Sequence, residues 1–272
     1  MTTKALYIKI FQPFAQYRNP FTFYYAQTYP LPPKSTIIGM LQNLIDDYYG
    51  HKHGVENWWK LKVSIHGGFE SVFWNYQQLI KGEIQLKKVG NKLVLSNQNL
   101  PLYNEGIKSQ RTPVHQQELF NGHLHIFIKG ERSILKEVKE AFDNPRKILS
   151  LGRSEDIIFI RRTEFVEPIN GDSKTAEKSI WLSYPTYIKR DSFPIKNEKY
   201  PVYSIPVKIV FKNKGIPAKN KAEISKNTER EVEFKTVIYT GFDYVIKLNK
   251  PIKFEEFHVN GQSFKIISDG WL

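Results

Sequence analysis

The sequence predicts an α+β fold on the strength of three patterns. Short runs rich in β-branched and aromatic residues alternate with polar turns, beginning with a strand predicted at residues 4–11. Two segments, 37–48 and 133–142, place apolar residues at helical spacing. Over residues 4–162 the predicted order is strand, helix, strand, strand, helix, strand. That order is typical of the ferredoxin-like fold, in which two helices cover one sheet face and leave the other open for a ligand.

The first predicted helix follows two adjacent prolines and ends before Gly50. Gly39 inside it costs about 1 kcal/mol relative to Ala, which predicts close approach of another backbone. The second strand is predicted at residues 61–66, where Gly67 and Gly68 then allow a sharp bend.

A projecting basic β-hairpin is predicted at residues 81–113. The segment holds short β-like runs separated by Gly-Asn and Asn-rich turns, with six Lys and Arg against two Glu. Its candidates for contact with a polyanion are Lys87, Lys88, Lys108 and Arg111. The remaining elements of this half are a strand at 123–130, a helix at 133–142 and a strand at 156–162.

The pattern changes beyond residue 166 to short β runs separated by Pro, Gly and Lys-rich turns. We expect residues 1–166 to form the ferredoxin-like domain. Residues 167–272 form a β-rich C-terminal region, either as a second unit or as an extension packed on the first.

The composition favours a soluble protein whose partner is a nucleic acid. Lys and Arg number 40 against 27 Asp and Glu, a formal net charge of +13 that attracts polyanions. The alternative is a Lys-rich solvated surface without a partner. The absence of cysteine excludes disulfides and thiolate metal sites, which suits a reducing cytoplasm. No segment is apolar for long enough to span a membrane, and no motif predicts a cofactor.

The start of the first helix is a candidate phosphate site. Two prolines fix an extended approach, and Ser35 or Thr36 can accept from the next backbone amides. Lys34 adds a mobile cation to the positive end of the helix dipole. The alternative is an ordinary capped helix.

The turn "LGRSEDII" is a second candidate site. Gly152 permits a tight turn, and Arg153 offers a planar fork for a phosphate or a base. Ser154, Glu155 and Asp156 can tie the turn to the following strand, or the two carboxylates can simply orient Arg153. A metal site would need a third ligand, and none stands at a matching spacing.

Histidines supply a third group of candidates. His115, His123 and His125 lie close in sequence to Arg111, and such side chains can act as general acid and base in metal-free RNA cleavage. Each of them is otherwise a surface or core histidine, and HExxH, GxSxG and GxGxxG are all absent.

Three stretches together resemble one family: "YRNPFTFYYAQTYPLPPKSTIIGML", "PVHQQELFNGHLHIFIKG" and "NPRKILSLGRSEDII". They resemble the Cas-five family, the repeat-associated (RAMP) subunit of type I CRISPR Cascade complexes, and most closely its I-B-type members. The resemblance covers about the first 165 residues, in the right order.

The resemblance implies an RRM-like RAMP palm, a projecting thumb at 81–113 and a grip on the 5′ handle of the guide RNA (crRNA). It also implies contacts with the Cascade backbone subunit and large subunit in antiviral defence, with target DNA reached only through the complex. Residues 34–36 and Arg153 become handle-binding positions. Aromatic faces and Arg planes stack splayed RNA bases, which adds further candidates. The predicted RNA-binding set is Tyr17, Arg18, Tyr25, Tyr29, Lys34, Ser35, Thr36, Lys87, Lys88, Lys108, Arg111, Arg153 and Ser154.

The I-C branch of the family is itself a ribonuclease that uses Tyr, Lys and His side chains, whereas other branches have lost this activity. The I-B-like character predicts a non-catalytic RNA-binding subunit. The alternatives are a metal-independent endoribonuclease that uses His115, His123 or His125, and the corresponding RAMP subunit of a type III effector.

Overall fold

The computed structural model describes residues 4–22, 25–81, 85–96, 110–169, 173–190, 200–219, 221–225, 227–241 and 244–272. Within these ranges the chain is mixed α and β, with far more strand than helix. The helices are α1 (Lys34–Leu44), α2 (Val55–Lys60) and α3 (Arg132–Asp143). None of the described helices is long and apolar enough to cross a membrane.

The strands of the N-terminal half are β1 (Ala5–Ala15), β2 (Tyr25–Ala26), β3 (Lys62–Lys81), β4 (Gln85–Val89), β5 (Lys92–Ser96), β6 (Gln110–Lys129) and β7 (Phe159–Val166). Those of the C-terminal half are β8 (Lys174–Ala176), β9 (Ser179–Trp181), β10 (Tyr187–Lys189), β11 (Val202–Asn213), β12 (Ile216–Pro217), β13 (Glu229–Tyr239), β14 (Val245–Lys247), β15 (Ile252–Val259) and β16 (Gln262–Ile267).

The main sheet has the strand order β7–β1–β6–β3, and each neighbouring pair is antiparallel. Short β2 adds a parallel pairing to β6. Beyond the last pairing of β1, Ala15 with Leu119, strands β3 and β6 continue as a paired ribbon towards the β4–β5 hairpin, and β2 pairs with β6 at His115 and Gln116 of this ribbon. The predicted order of strands and helices along this half is present, and α2 and β2 are additions that the sequence did not predict.

Strand β3 is much longer than the predicted 61–66 because the Gly-Gly pair does not end it. Gly67 has φ +128°, and a Cβ at this position would lie 2.1 Å from the carbonyl oxygen of His123 on β6. Glycine therefore lets the two backbones stay paired across the irregularity.

Helices α1 and α3 cover one face of the sheet. Their buried residues recur every three or four positions, as Ile37, Leu41 and Leu44 do in α1. They join alternate residues of the strands, such as Ile8 and Ile126, in the main hydrophobic core. Burial of this apolar stripe holds both helices on the sheet.

The opposite sheet face is partly covered, which corrects the expectation that it lies open. Strands β15 and β16 pack there, and Phe257 and Phe264 join Tyr7 and Phe127 in a second core. The covering strands lie far along the sequence, at residues 252–267, so the local pattern of the main-sheet strands does not predict this contact.

The two halves also share main-chain pairing. The Val63 amide donates to the Leu272 carbonyl oxygen at 3.2 Å, and the Leu272 amide donates back at 2.9 Å. A third core lies within the C-terminal half, around Ile180, Ile246 and Phe254. The division of the chain at residue 166 stays a prediction, but residues on both sides of it pack together.

Candidate nucleic-acid interface

A groove of about 740 Å³ lies where five segments of the chain meet. They are the segment after β1, the start of α1, the turn before β7, and the β11 and β13 strands of the C-terminal half. The groove is lined by Gln16, Tyr17, Arg18, Pro20, Pro33, Ser35, Thr36, Gly39, Met40, Asn43, Ser150, Gly152, Arg153, Pro206, Ile209, Arg230, Val232 and Phe234. Two predicted sites, the helix start and the Gly-Arg turn, therefore form walls of one groove.

Asp156 organises the turn that forms one wall. Its carboxylate is buried and accepts hydrogen bonds from the backbone amides of Gln16 and Arg153, both at 2.9 Å. Gly152 has φ +114°, and a Cβ there would lie 2.7 Å from the Asp156 carboxylate and 2.9 Å from the Gln16 carbonyl oxygen. Only glycine fits this position, and Asp156 thereby holds the turn against the segment after β1.

Tyr17 supports the turn from inside the protein. Its hydroxyl donates to Gln12 Oε1 at 2.5 Å, and Gln12 Nε2 donates to the Leu151 carbonyl oxygen at 2.7 Å. Burial, with a smaller effect of the Asp156 charge, raises the pKa of Tyr17 well above its usual value. The ring is buried, so the prediction that Tyr17 stacks on a base is wrong, and its role is to fix the groove wall.

Arg153 lines the groove, but carboxylates occupy its guanidinium. Nη1 donates to Glu118 at 2.8 Å and Nη2 donates to Asp156 at 2.8 Å, and the side chain is 21% exposed. Burial would lower the pKa of Arg153, but its hydrogen bonds to these two carboxylates and their negative charges raise the pKa above the usual value. Carboxylates therefore orient the Arg153 side chain, as the alternative interpretation of this turn expected. Exposed Ser154 donates to Glu155 at 3.1 Å.

Helix α1 begins without a side-chain cap, which corrects the expected role of Ser35 or Thr36. Pro33 is the N-cap residue, and its carbonyl oxygen accepts from the Thr36 amide at 3.0 Å. The first amides of the helix have no acceptor within it, and they lie beside the groove at the positive end of the dipole.

Gly39 and Lys34 also differ from expectation. Apart from the backbone of its own helix, no heavy atom of the described residues would lie within 4 Å of a Cβ at Gly39, so no other described backbone packs there, and the glycine keeps the groove wall low. Lys34 turns away from the groove: its side chain is buried, and Nζ donates to the Trp59 carbonyl oxygen at 3.0 Å. Burial lowers the Lys34 pKa to about 8, so the expected mobile cation is wrong.

Two exposed arginines line the groove. Arg18 follows β1, and Arg230 lies on β13 in the C-terminal half. Neither guanidinium has an ion-pair partner within the described ranges. Beside them, the exposed ring of Phe21 packs on Phe234 with centroids 5.0 Å apart. Arg230 reaches this groove because the tertiary fold brings β13 to it, and the predicted RNA-binding set did not include this residue.

The other aromatic candidates separate into one exposed and one buried residue. Tyr25 is 63% exposed, stacks on His115 with centroids 5.8 Å apart and meets the edge of Trp74. Tyr29 is buried, and its hydroxyl donates to the Ser204 carbonyl oxygen at 2.6 Å, so its predicted stacking on RNA is wrong. Burial raises the Tyr29 pKa to about 12.

The three histidines do not form one site. His125 is buried, its Nδ1 lies 2.8 Å from the Tyr7 hydroxyl, and burial lowers its pKa to about 4. His123 is exposed beside Phe11. His115 stands eight residues further back on β6, roughly 26 Å away along the strand.

The remaining predicted contacts lie in the hairpin region. Lys87 and Lys88 stand on β4 and Arg111 on β6, but their side chains are outside what the structure describes. Lys108 is outside the described residues altogether. Within the described part of the chain, no group of three His, Asp or Glu side chains could hold a metal ion.

Comparison with known proteins defines the class. A family model described as "CRISPR-associated protein (Cas_Cas5)" matches residues 5–208, which places the chain among the CRISPR-associated proteins. Because that match spans well over half of the sequence, the chain belongs to the Cas5 family, and the resemblance seen in the three motifs is confirmed. The I-B subtype stays a prediction.

Several solved structures are similar to the chain. One, titled "CRISPR RNA-guided surveillance complex", has 10% identity, 90% coverage of both chains and a TM-score of 0.49. A second, "Crystal structure of Cas protein", has 15% identity, covers 85% of this chain and 95% of that chain, and has a TM-score of 0.42. A CRISPR protein from Archaeoglobus fulgidus has 9% identity, coverage of 96% and 98%, and a TM-score of 0.42. No curated protein sequence matches the chain.

Proposed function

We propose that this chain is a non-catalytic subunit of a type I, I-B-like Cascade effector that binds the 5′ handle of the guide RNA and helps nucleate assembly in antiviral defence. The observation that carries the proposal is the groove, which is lined by Arg18 and Arg230, from the two halves of the chain, together with the start of α1. Neither arginine forms an ion pair with another described residue. Membership of the Cas5 family sets the biological context.

The chemistry of the groove suits a single-stranded RNA backbone. Arg18 and Arg230 supply guanidinium donors for phosphates, and the first amides of α1 add neutral donors at the positive helix end. Phosphate contacts of this kind give affinity, whereas stacking on exposed rings such as Phe21 selects unpaired bases. In this arrangement Arg153 acts indirectly, because its carboxylate partners fix the turn that shapes the wall.

The strand order of the main sheet supports interpreting it as a ferredoxin-like RAMP palm. The ribbon formed by β3 and β6, with the β4–β5 hairpin beyond it, is then the thumb. Exposed Tyr25, Trp74 and Tyr76 line the base of this ribbon and give it a surface for RNA or a neighbouring subunit.

The partners in this proposal are crRNA, the Cascade backbone subunit and the large subunit, and target DNA is engaged only through the assembled complex. The site of action is the prokaryotic cytoplasm. No cofactor takes part.

The metal-independent endoribonuclease is the alternative. It needs a general base and a general acid within hydrogen-bond reach of one scissile phosphate. His125 is committed to Tyr7 in a buried aromatic cluster, and His115 lies far along the strand from His123. This separation favours the binding function over the enzyme.

The test combines binding and cleavage in the same samples. Labelled repeat RNA with an intact or scrambled 5′ handle is incubated with the protein in EDTA and run on native and denaturing gels. We expect a shift that depends on the handle and no cleavage. Discrete cleavage would make the ribonuclease the better assignment.

The groove itself is tested by Arg18→Gln with Arg230→Gln. Loss of two phosphate contacts should weaken handle binding by about tenfold or more and reduce the slope of log K against log salt by about 1.4. The matched control, Arg132→Gln with Lys136→Gln, removes the same charge from the exposed face of α3. An equal loss in both double variants would mean that only the overall charge matters, and the groove assignment would be wrong.

A further inference from the structure

A second cavity, of about 670 Å³, is strongly cationic and plays no part in the function proposed above. It lies between the start of α1, the end of α2, the adjoining ends of β3 and β6, β10 and the C-terminal residues. Five lysine side chains and one acidic side chain line it: Lys34, Lys60, Lys62, Lys129, Lys189 and Glu255.

The acidic side chain is already neutralised. Glu255 forms an ion pair with Lys129, whose ammonium also lies 4.8 Å from the ring of Trp271. The four other lysines have no carboxylate partner within the described ranges. Among the described residues, the side chains that line the cavity therefore carry an excess of four positive charges.

Lys34 shows that the excess charge reaches into the protein. Its side chain is 8% exposed, and its one hydrogen bond goes to the Trp59 carbonyl oxygen. Burial first, and then the charges of Lys189 and Lys208 against that of Glu233, lower its pKa to about 8. A buried ammonium without an anion is costly, and an anion in the cavity would offset this cost.

We propose that this cavity binds a phosphate-bearing anion, either a free nucleotide or polyphosphate or the phosphates of a nucleic-acid backbone. The ammonium groups come from separate segments and surround one compact space, which matches a small, multiply charged group better than an extended acidic peptide. The volume is also in the range of nucleotide-sized ligands.

Calorimetric titration of the whole protein with tripolyphosphate tests the site. We expect saturable binding that is at least about tenfold weaker in Lys60→Gln with Lys189→Gln. Lys178→Gln with Lys247→Gln removes the same charge from exposed positions that do not line the cavity, and it should bind like the wild type. Equal binding by all three proteins, or no saturable binding, would overturn the proposal.

A second readout follows Lys34 directly and does not depend on the rim variants. With ¹³Cε-labelled lysine, NMR titration should show the Lys34 pKa rising on saturation with tripolyphosphate. An unchanged Lys34 pKa at saturation would place the anion elsewhere and contradict the proposal. Binding of an oligoglutamate peptide in preference to tripolyphosphate would contradict it as well.

Competition distinguishes the source of the phosphate. If a short single-stranded RNA displaces tripolyphosphate and ADP does not, the natural ligand is a nucleic-acid backbone; the reverse result indicates a free nucleotide. Arg18→Gln with Arg230→Gln should bind tripolyphosphate normally, so a failure of the guide-RNA groove and a failure of this cavity give different results.

Discussion

Lys34 allows a quantitative prediction, because its environment changes a pKa that can be read as stability. Replacement by Met removes the buried ammonium and keeps most of the side-chain volume. It also removes the hydrogen bond to the Trp59 carbonyl oxygen, which changes the free energy of unfolding by an amount that does not depend on pH. The informative quantity is therefore the difference between wild type and variant as a function of pH.

The magnitude follows from the two pKa values of Lys34, the ordinary value of 10.5 in the unfolded chain and about 8 in the folded protein. Between them the unfolded chain binds more protons than the folded chain, so the free energy of unfolding rises with pH. The whole gap corresponds to about 3 kcal/mol. Roughly 2 kcal/mol of it falls between about pH 7 and about pH 9.5. Buried tyrosines such as Tyr239 begin to titrate in the unfolded chain near the top of this range, and they affect wild type and variant alike.

Urea unfolding across this pH range, in buffers free of phosphate, measures the effect. Wild type should gain about 2 kcal/mol relative to Lys34→Met as the pH rises. Lys60→Met, at an exposed position of the same cavity, serves as the control and should follow the wild type. Parallel curves for wild type and Lys34→Met would refute the argument that burial lowers the Lys34 pKa.

Three further predictions concern stability. Gly152→Ala should lower the free energy of unfolding by about 2–4 kcal/mol, because the new Cβ clashes with Asp156 at a strained backbone position. The control Gly261→Ala, with φ +75° in open space, should lower it by about 1 kcal/mol. Equal losses in urea unfolding would contradict the steric argument. Burial lowers the pKa of His125 to about 4, so neutral His125 stabilises the fold above about pH 6.5 and this contribution is lost as the pH falls towards 4. Between these pH values the free energy of unfolding of His125→Phe should fall by about 2–3 kcal/mol less than that of wild type. An equal fall in both proteins would refute this prediction. Tyr29→Phe should cost about 1 kcal/mol through the lost hydroxyl bond, and an unchanged denaturation midpoint would show that the bond contributes nothing.

Local patterns in the sequence predicted the family, both main helices and two segments of the candidate site. The three quoted motifs identified the family, and the apolar spacing of α1 and α3 located both helices to within a few residues. The sequence also predicted the start of the first helix and the turn at Gly152 as candidate binding sites, and in the fold both segments line one groove. In each case the information lies within about a dozen neighbouring residues.

The errors arose where distant segments decide the environment. Tyr17 and Tyr29 stand in an aromatic segment that looks like a ligand surface, but the turn before β7 and strand β11 bury them. Lys34 is drawn into a cavity completed by the C-terminal residues, and Arg230 reaches the groove only because β13 packs beside it. Local periodicity contains none of these contacts.

The covered face of the main sheet has a consequence for synthesis of the chain. Residues 5–166 leave the ribosome well before strands β15 and β16, which supply Phe257 and Phe264 to the core around Tyr7 and Phe127. At roughly 5–20 residues per second, that apolar face stays in contact with water for several seconds after its own strands have been made. Strands β15 and β16 therefore close this face only late in synthesis, and we expect the nascent main sheet to be most prone to self-association just before they are made.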